Sequence, residues 1–284
     1  MSALGSFVRL ARPHFLLGGA VLYAVGAASV PQVELGHYLL GQAMVTSAQL
    51  TAHYVNEYAD VDFDRQVVNR TWFSGGSGVL SAGMLRPQVA LQAAIVSSLL
   101  TGGFALLVFG RSPAAAGLGA LALSVSWLYS MPPVRLLDTG WGEAAASFVV
   151  AALVPLVGAL ANGGPVTAAL LWAVAVLFLV HMGMLFTFEL PDEASDRIAG
   201  KTVLAVRIGP ESTHRLIVAC FGFAAFVLAV SVATDQLASP ERLAPAAVFA
   251  ALTVVAGRRE RFAVATWSAV GAFVLAALGL LGTV

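Results

Sequence analysis

Two short stretches of the 284-residue sequence carry the same unusual arrangement of acidic side chains. Residues 57 to 65 read EYADVDFDR and residues 189 to 197 read ELPDEASDR, so both fit the pattern E-x-x-D-x-x-x-D-R. Because residues three, four and seven apart share one face of a helix, the glutamate and both aspartates of the pattern form one acidic edge. The extra acid of the first stretch, Asp62, projects to another face and is expected to be solvated.

Acidic edges of this kind are suited to binding divalent cations. Mg²⁺ prefers oxygen ligands and commonly bridges to substrate phosphates, so two edges that meet across a bundle would hold ions that in turn hold a diphosphate. The candidate metal ligands are the two edges and the amide beside the first: Asn56, Glu57, Asp60, Asp64, Glu189, Asp192 and Asp196. The simpler interpretation is that acids at a helix end mark the boundary with water. Their recurrence favours function, because ionisable residues in membrane helices are rare and mostly functional.

Basic and glycine-rich segments follow both acidic stretches. Residues 69 to 80 read NRTWFSGGSGVL and residues 198 to 209 read IAGKTVLAVRIG, while YSMPPVRL at 129 to 136 is expected on the same side of the membrane. Their cations could neutralise phosphate oxygens, and a Gly-Ser loop can bind an anion through backbone N–H groups. The candidate diphosphate-binding residues are Arg65, Arg70, Ser74, Tyr129, Arg135, Lys201 and Arg207.

Each of these segments also has an ordinary explanation. A glycine-serine loop is often a plain turn, and the basic residues could be cytoplasmic anchors of the membrane helices. Aromatic residues near the acids could line a pocket below the metal ions, although aromatic side chains in a bundle usually belong to its core. The candidates are Tyr54, Tyr58, Trp127, Phe186 and Phe188.

Membrane-spanning helices must position these residues. The chain is 59% hydrophobic and its mean hydropathy is +0.86. Only 11% of its residues are charged, whereas soluble domains carry about 25%. The sequence therefore predicts an all-α fold, a polytopic membrane helical bundle in the lipid bilayer. Zero net charge and the lack of a basic run argue against a nucleic-acid partner.

Nine segments are predicted to cross the bilayer, for which a helix needs about 20 mostly apolar residues, and the eighth of them is short. They are residues 15–33, 35–55, 89–110, 114–131, 142–162, 166–190, 213–234, 243–257 and 263–282. Motif 1 at 56–65 and motif 2 at 189–197 end the second and sixth spans. We therefore expect a single domain over residues 1–284 that contains a duplicated four-helix unit.

Basic residues predict the orientation of the chain, because they concentrate on the cytoplasmic side. With nine spans, all the basic residues except Arg111 and Arg242 fall on one side. The amino terminus and the loops that carry the acids are then cytoplasmic, and the carboxyl terminus is outside.

The paired motifs resemble those of the UbiA superfamily of intramembrane prenyltransferases. Asn56, Glu57, Asp60 and Asp64 match that family's N-D-x-x-D-x-x-x-D signature except for the glutamate, and Asp192 and Asp196 match its D-x-x-x-D signature. The resemblance implies Mg²⁺ as cofactor and an isoprenyl diphosphate as substrate. It also implies ionisation to an allylic cation that an acceptor, commonly an aromatic ring, attacks. The implied catalytic residues are Asp60, Asp64, Asp192 and Asp196.

The acceptor is indicated only by two loops. GGSGVL at 75 to 80 and TGWGE at 139 to 143 look most similar to the menaquinone branch, whose acceptor is 1,4-dihydroxy-2-naphthoate and whose product serves quinone biosynthesis. Two other functions stay open: a terpene cyclase of the same superfamily, which needs no acceptor, and an ion-coupled transporter whose acidic sites bind its ions.

Overall fold

The computed structural model describes residues 2–66, 70–73, 75–198, 200–281 and 283, and every regular element in these ranges is helical. The predicted all-α class is therefore confirmed. In chain order the α-helices are α1 (Ala3–Leu10), α2 (Pro13–Ala28), α3 (Leu35–Ala59), α4 (Val61–Asp64), α5 (Pro87–Phe109), α6 (Pro113–Ser130), α7 (Gly142–Ser147), α8 (Val154–Ala161), α9 (Ala168–Glu189), α10 (Glu193–Ile198), α11 (Leu204–Ile208), α12 (Pro210–Ala233), α13 (Ala244–Arg258) and α14 (Phe262–Leu280). A π-helical segment, Phe148–Leu153, joins α7 to α8 into one rod.

Helices lie at all nine positions that the sequence predicts to span the membrane. Within the described residues, five are long and apolar enough to cross a bilayer, or six if α1 and α2, which meet at a 42° bend, form one span. The five are α5, the α7–α8 rod, α9, α12 and α14. The chain is thus an integral membrane protein, while the count of nine spans stays a prediction.

Local sequence explains where several of these helices begin. Pro13, Pro87, Pro113 and Pro210 stand in the first turn of α2, α5, α6 and α12. Proline suits this position because its missing N–H would have no partner there in any case. The Thr167 hydroxyl accepts a hydrogen bond from a backbone N–H at the start of α9.

Glycines let α2 pack directly against α8. A Cβ at Gly26 would lie 1.7 Å from the Pro155 carbonyl oxygen, and one at Gly158 would lie 2.2 Å from the Tyr23 carbonyl oxygen. Only glycine permits such a close approach of two backbones. This contact fixes the position of α2, whose N-terminal cap is Arg12.

Each acidic motif lies where a long helix gives way to a short one. Helix α3 is followed directly by α4, and α9 ends two residues before Pro191 and is followed by α10. The Asp64 N–H donates to the Asp60 carbonyl and the Asp196 N–H donates to the Asp192 carbonyl, both at 2.8 Å. The two copies thus share one local geometry, while the duplication of a four-helix unit stays a prediction.

Candidate active site

The two acidic motifs face one cavity of ≈ 180 Å³. Eight of the predicted site residues line it: Asn56, Asp60, Asp64, Tyr129, Glu189, Asp192, Asp196 and Lys201. Asp60, Asp64 and Asp196 are buried. Folding therefore brings together two helix ends that lie far apart in the sequence.

Basic side chains of the protein itself pair with two of these acids. Arg135 Nη2 donates to Asp60 Oδ1 at 2.8 Å, and Lys201 Nζ lies 2.9 Å from Asp196 Oδ1. Asn56 Nδ2 donates to the other oxygen of Asp60 at 2.7 Å. One predicted base therefore stands beside each motif, where it could also meet a phosphate oxygen.

Burial and neighbouring charges change the acidity of these groups. Burial, reinforced by the nearby Glu57 carboxylate, raises the pKa of Asp64 to about 6. Burial also raises the pKa of Asp60, although a neighbouring arginine opposes the change. For Lys201, burial lowers the pKa, but contact with Asp196 outweighs burial and raises it overall. Lys201 is therefore a permanent cation in the cavity wall.

The chemistry of the cavity wall fits Mg²⁺. Among the described residues that line it, six are acidic and two, Arg12 and Lys201, are basic, so the wall has a surplus of negative charge. Carboxylate oxygens are the ligands that Mg²⁺ prefers, usually one or two per ion, with waters and substrate phosphates completing the shell. In the described parts of the chain, no three His, Cys, Asp or Glu side chains form a group that could hold a metal ion. The donors fit in type and face one space from two sides.

Glu57 differs from the other predicted ligands because it does not line this acidic cavity. Its Oε1 accepts hydrogen bonds from Arg12 Nε at 2.8 Å and from the Ser77 N–H at 2.6 Å, and its Oε2 accepts from Ser77 Oγ at 2.6 Å. Glu57 is 1% exposed and joins the glycine-rich loop to α3 and to the bend between α1 and α2. Its role as a metal ligand stays a prediction.

Arg70 supports the glycine-rich loop from behind. Its guanidinium donates to the carbonyl oxygen of Gly75, to that of Asp64 at 2.9 Å and to Ser81 Oγ at 3.1 Å. These contacts keep the loop against the end of the first motif. Ser74, the remaining predicted residue of this loop, lies outside the described residues.

The other two predicted bases lie away from the described cavity lining. Arg65 is exposed and pairs with Asp62 at 2.7 Å. Asp62 itself is 81% exposed, as the helical spacing predicts. Arg207 donates to the Thr202 carbonyl at 2.6 Å and to the Asp138 carbonyl, so it fastens the second basic segment to its neighbour. Their binding to a diphosphate stays a prediction.

A larger cavity of ≈ 710 Å³ adjoins the first and is mostly apolar. Arg12, Phe73, Tyr129 and Phe188 line both cavities, so the two spaces meet at these residues. The deeper wall is aliphatic and aromatic and includes Val45, Val149, Leu153, Val157, Val270 and Phe273. The two cavities thus form one continuous site with a charged end and an apolar end.

The aromatic lining differs from the one predicted. Phe188 lines the cavity, whereas Phe186 is buried in the core and Tyr54, Tyr58 and Trp127 belong to a separate core cluster. That part of the prediction was wrong, because the rotation of each helix depends on its packing partners. Other aromatic residues, from distant segments, take these places: Phe15, Trp72, Phe73, Trp267 and Phe273.

Two residues that line the site were not predicted from the sequence. Arg12 has the appearance of an ordinary anchor before the first span, yet it lines both cavities and binds Glu57. Glu143 is 2% exposed and lines the acidic cavity. A signal for Glu143 existed, because an acid inside a predicted membrane segment is a candidate functional residue by itself.

The fold and site define an integral membrane protein whose acid-lined cavity opens into an apolar one. The sequence matches the UbiA prenyltransferase family over residues 15–265, which is most of the chain. The chain therefore belongs to this family. No curated protein sequence matches it.

Solved structures of UbiA homologues share the fold. One from Archaeoglobus fulgidus, bound to DMAPP and Mg²⁺, is 18% identical, with a TM-score of 0.71 over 98% of this chain and 100% of that one. An apo homologue from Aeropyrum pernix K1 is 18% identical, with a TM-score of 0.73 over 95% and 97%. A structure of digeranylgeranylglyceryl phosphate synthase is 15% identical, with a TM-score of 0.70 over 99% of both chains.

Proposed function

We propose that this protein is a Mg²⁺-dependent intramembrane prenyltransferase that moves an isoprenyl chain from a prenyl diphosphate to an aromatic acceptor. The observation that carries the proposal is the junction of an acid-lined cavity with a larger apolar one. A prenyl diphosphate has the same two parts, a multiply charged head and a hydrocarbon tail. Family membership and the A. fulgidus homologue with DMAPP and Mg²⁺ support the same function.

The aspartates of the two motifs, Asp60, Asp64, Asp192 and Asp196, would hold the metal ions. When bound, Mg²⁺ neutralises the diphosphate and stabilises it as it leaves the isoprenyl chain. Lys201 lies in the same wall and binds diphosphate oxygens as a point charge. Positive charges at fixed positions stabilise the negative charge of the leaving diphosphate more than water does, because they do not have to reorient during the reaction.

Departure of the diphosphate leaves an allylic cation on the isoprenyl chain, and aromatic side chains stand where the two cavities meet. Phe73 and Phe188 stack with their centroids 5.2 Å apart, and Trp267 meets Phe73 edge-on at 4.9 Å. Aromatic faces attract a nearby cation, and these rings exclude water that would otherwise quench it. The acceptor ring attacks the cation, forms a carbon–carbon bond and then loses a proton.

The best candidate for the acceptor is 1,4-dihydroxy-2-naphthoate, which would place the protein in quinone biosynthesis. The similarity of two loops to the menaquinone branch supports this choice, and the second of these loops ends at Glu143 in the cavity wall. We also propose that the amino terminus and the active-site loops are cytoplasmic and the carboxyl terminus is outside, because the basic residues concentrate on one side.

The test is a transfer assay with detergent-purified protein, farnesyl diphosphate, Mg²⁺ and a panel of hydroxylated aromatic acids. Prenylated product, identified by its mass, is the expected result. A cyclic hydrocarbon or terpene alcohol formed without acceptor would indicate the cyclase. The absence of both product and diphosphate release would overturn the enzyme assignment and leave the transporter.

A further inference from the structure

His53 is a half-buried polar side chain in the wall of the larger, mostly apolar cavity. It lies three residues before Asn56 and seven before Asp60, so all three share one edge of α3. At a rise of about 1.5 Å per residue, His53 stands about 4.5 Å deeper than Asn56 and about 10.5 Å deeper than Asp60. The reacting carbon of an isoprenyl diphosphate held by the motif aspartates would lie between these levels.

The His53 ring has one engaged nitrogen and one free nitrogen. Nδ1 lies 2.8 Å from the Ala11 carbonyl oxygen. Because a carbonyl oxygen only accepts hydrogen bonds, Nδ1 carries the hydrogen, and in a neutral imidazole the other nitrogen is then an acceptor. Nε2 has no hydrogen-bond partner among the described residues, and packing does not enclose it. Since His53 lines the cavity, Nε2 is open to a ligand there.

The surroundings of His53 favour the neutral ring. Among the described residues no carboxylate forms an ion pair with it, and the nearby Arg12 would repel a second positive charge. Glu57, one turn further along α3, is already paired with Arg12. An unpaired charge inside a protein is costly. His53 therefore presents a lone pair to the cavity, and a ligand that uses this lone pair must supply a hydrogen-bond donor.

The neighbouring rings restrict which ligand that is. The Phe15 ring centroid lies 5.9 Å from that of His53 and 6.2 Å from that of Phe73, which stacks on Phe188 where the two cavities meet. His53 thus borders the aromatic group beside the expected cation. A hydrocarbon tail offers no hydrogen-bond donor, and neither does a diphosphate bound to metal ions. A hydroxyl group of an aromatic acceptor does.

We propose that His53 Nε2 accepts a hydrogen bond from a hydroxyl group of the aromatic acceptor and orients the acceptor ring toward the isoprenyl chain. This inference rests on the proposed function and makes it more specific, because it requires an acceptor with a free O–H. The hydrogen bond draws the hydroxyl proton toward Nε2 and so makes the ring a better nucleophile. A purely structural role for His53, which would hold Ala11 at the end of α1, uses Nδ1 alone.

The test compares wild-type protein with His53→Asn and His53→Leu in the transfer assay, with farnesyl diphosphate and 1,4-dihydroxy-2-naphthoate kept anaerobic. The asparagine amide can keep the hydrogen bond to Ala11 but places nothing at the position of Nε2, whereas leucine removes both contacts. We expect the KM for the naphthoate to rise about tenfold in both variants, while the KM for farnesyl diphosphate stays unchanged. His37→Asn, the same substitution near the other end of α3, lines neither cavity and changes neither value.

The acceptor provides an independent readout. 1-Hydroxy-2-naphthoate and 4-hydroxy-2-naphthoate each lack one hydroxyl group of the dihydroxy acid. For the wild type, the KM of one of them should exceed that of the dihydroxy acid about tenfold, and His53→Asn should lose this discrimination. A residue that only supports the fold would change the KM of all three acids alike. If the wild type prenylates a different hydroxylated acid, that acid and its form without the hydroxyl group replace the naphthoates.

Thermal unfolding separates the roles of the two nitrogens. His53→Leu should lower the melting temperature more than His53→Asn, because only leucine leaves the Ala11 carbonyl without its partner. An unchanged acceptor KM in His53→Asn would overturn the proposal. A wild type with the same KM for acids with and without the hydroxyl group would overturn it too, and this result needs no variant. Failure of the wild type to prenylate any hydroxylated acid would overturn the proposed function as well.

Discussion

Arg12 Nε donates a hydrogen bond of 2.8 Å to Glu57 Oε1, and a second nitrogen of the same guanidinium binds the same oxygen. This pair connects the bend between α1 and α2 to the first acidic motif. Ser77 completes the carboxylate's partners, so one buried acid holds three separate segments together. Arg12 has a left-handed backbone (φ 49°), a strained conformation for a residue other than glycine that tends to occur at functional sites.

Loss of this pair should destabilise the protein. Removal of one partner of a buried ion pair leaves an uncompensated charge and typically costs about 3–5 kcal/mol. We therefore expect Arg12→Ala to lower the melting temperature clearly in detergent, whereas Arg215→Ala, in the exposed pair with Glu211 at 3.4 Å, should cost about 0–1 kcal/mol. Equal effects of the two substitutions would contradict the role of the buried pair.

Glu57→Gln separates a loop contact from a metal ligand. The amide keeps a hydrogen-bond acceptor for Ser77 but loses the charge that pairs with Arg12, so we expect lower thermal stability with an unchanged Mg²⁺ requirement. The Mg²⁺ titration of the transfer rate is the measurement. A large rise in the Mg²⁺ requirement without loss of stability would place Glu57 among the metal ligands, as its motif predicts.

Substitutions of the motif aspartates have an internal control, because the first motif also contains an exposed aspartate. Asp60→Asn and Asp192→Asn should each lower the transfer rate by about a hundredfold or more, because each removes a carboxylate that would hold the Mg²⁺ on which the leaving diphosphate depends. Asp62→Asn, two residues from Asp60 but 81% exposed, should leave the rate unchanged. Diphosphate release measures the effect directly. Full activity of Asp60→Asn would contradict the assignment of the metal site.

Acid should weaken metal binding. Burial raises the pKa of Asp64 to about 6, above its ordinary value of 3.8, so this carboxyl carries a proton at a pH where exposed aspartates do not. Metal ligation needs the deprotonated form. The Mg²⁺ concentration for half-maximal rate should therefore be flat above about pH 7 and rise about tenfold per unit below about pH 6. A flat profile down to about pH 5 would show that Asp64 does not limit metal binding.

The contact between α2 and α8 predicts that alanine substitutions at two glycines of α2 have very different effects on stability. Gly26→Ala places a Cβ 1.7 Å from the Pro155 carbonyl, and such overpacking costs about 1–3 kcal/mol or more. Gly18→Ala meets no heavy atom within 4 Å. The second substitution should therefore gain up to about 1 kcal/mol from helix propensity. Thermal unfolding of the two variants tests the contact. Equal stability of the two variants would refute it.

Much of the site could be predicted because its signal is local. The spacing of Asp60 and Asp64, repeated in Asp192 and Asp196, matches the 3.6-residue period of a helix, which puts each pair on one face. The same period puts Asp62 on a different face of the helix from Asp60 and Asp64. The aromatic lining could not be predicted in this way, since the side of a helix on which Phe186 or Phe188 lies depends on what packs against it.

The sequence by itself determined that the chain is an all-helical membrane protein with two matched acidic helix ends, because length, hydropathy and residue spacing are properties of each segment alone. Only the tertiary structure decided that Glu57 faces Arg12 and Ser77, that Phe73 and Trp267 meet Phe188, and that Glu143 is buried beside Glu189. These contacts join residues distant in the sequence. Their geometry depends on how the helices pack against one another, and no local pattern encodes it.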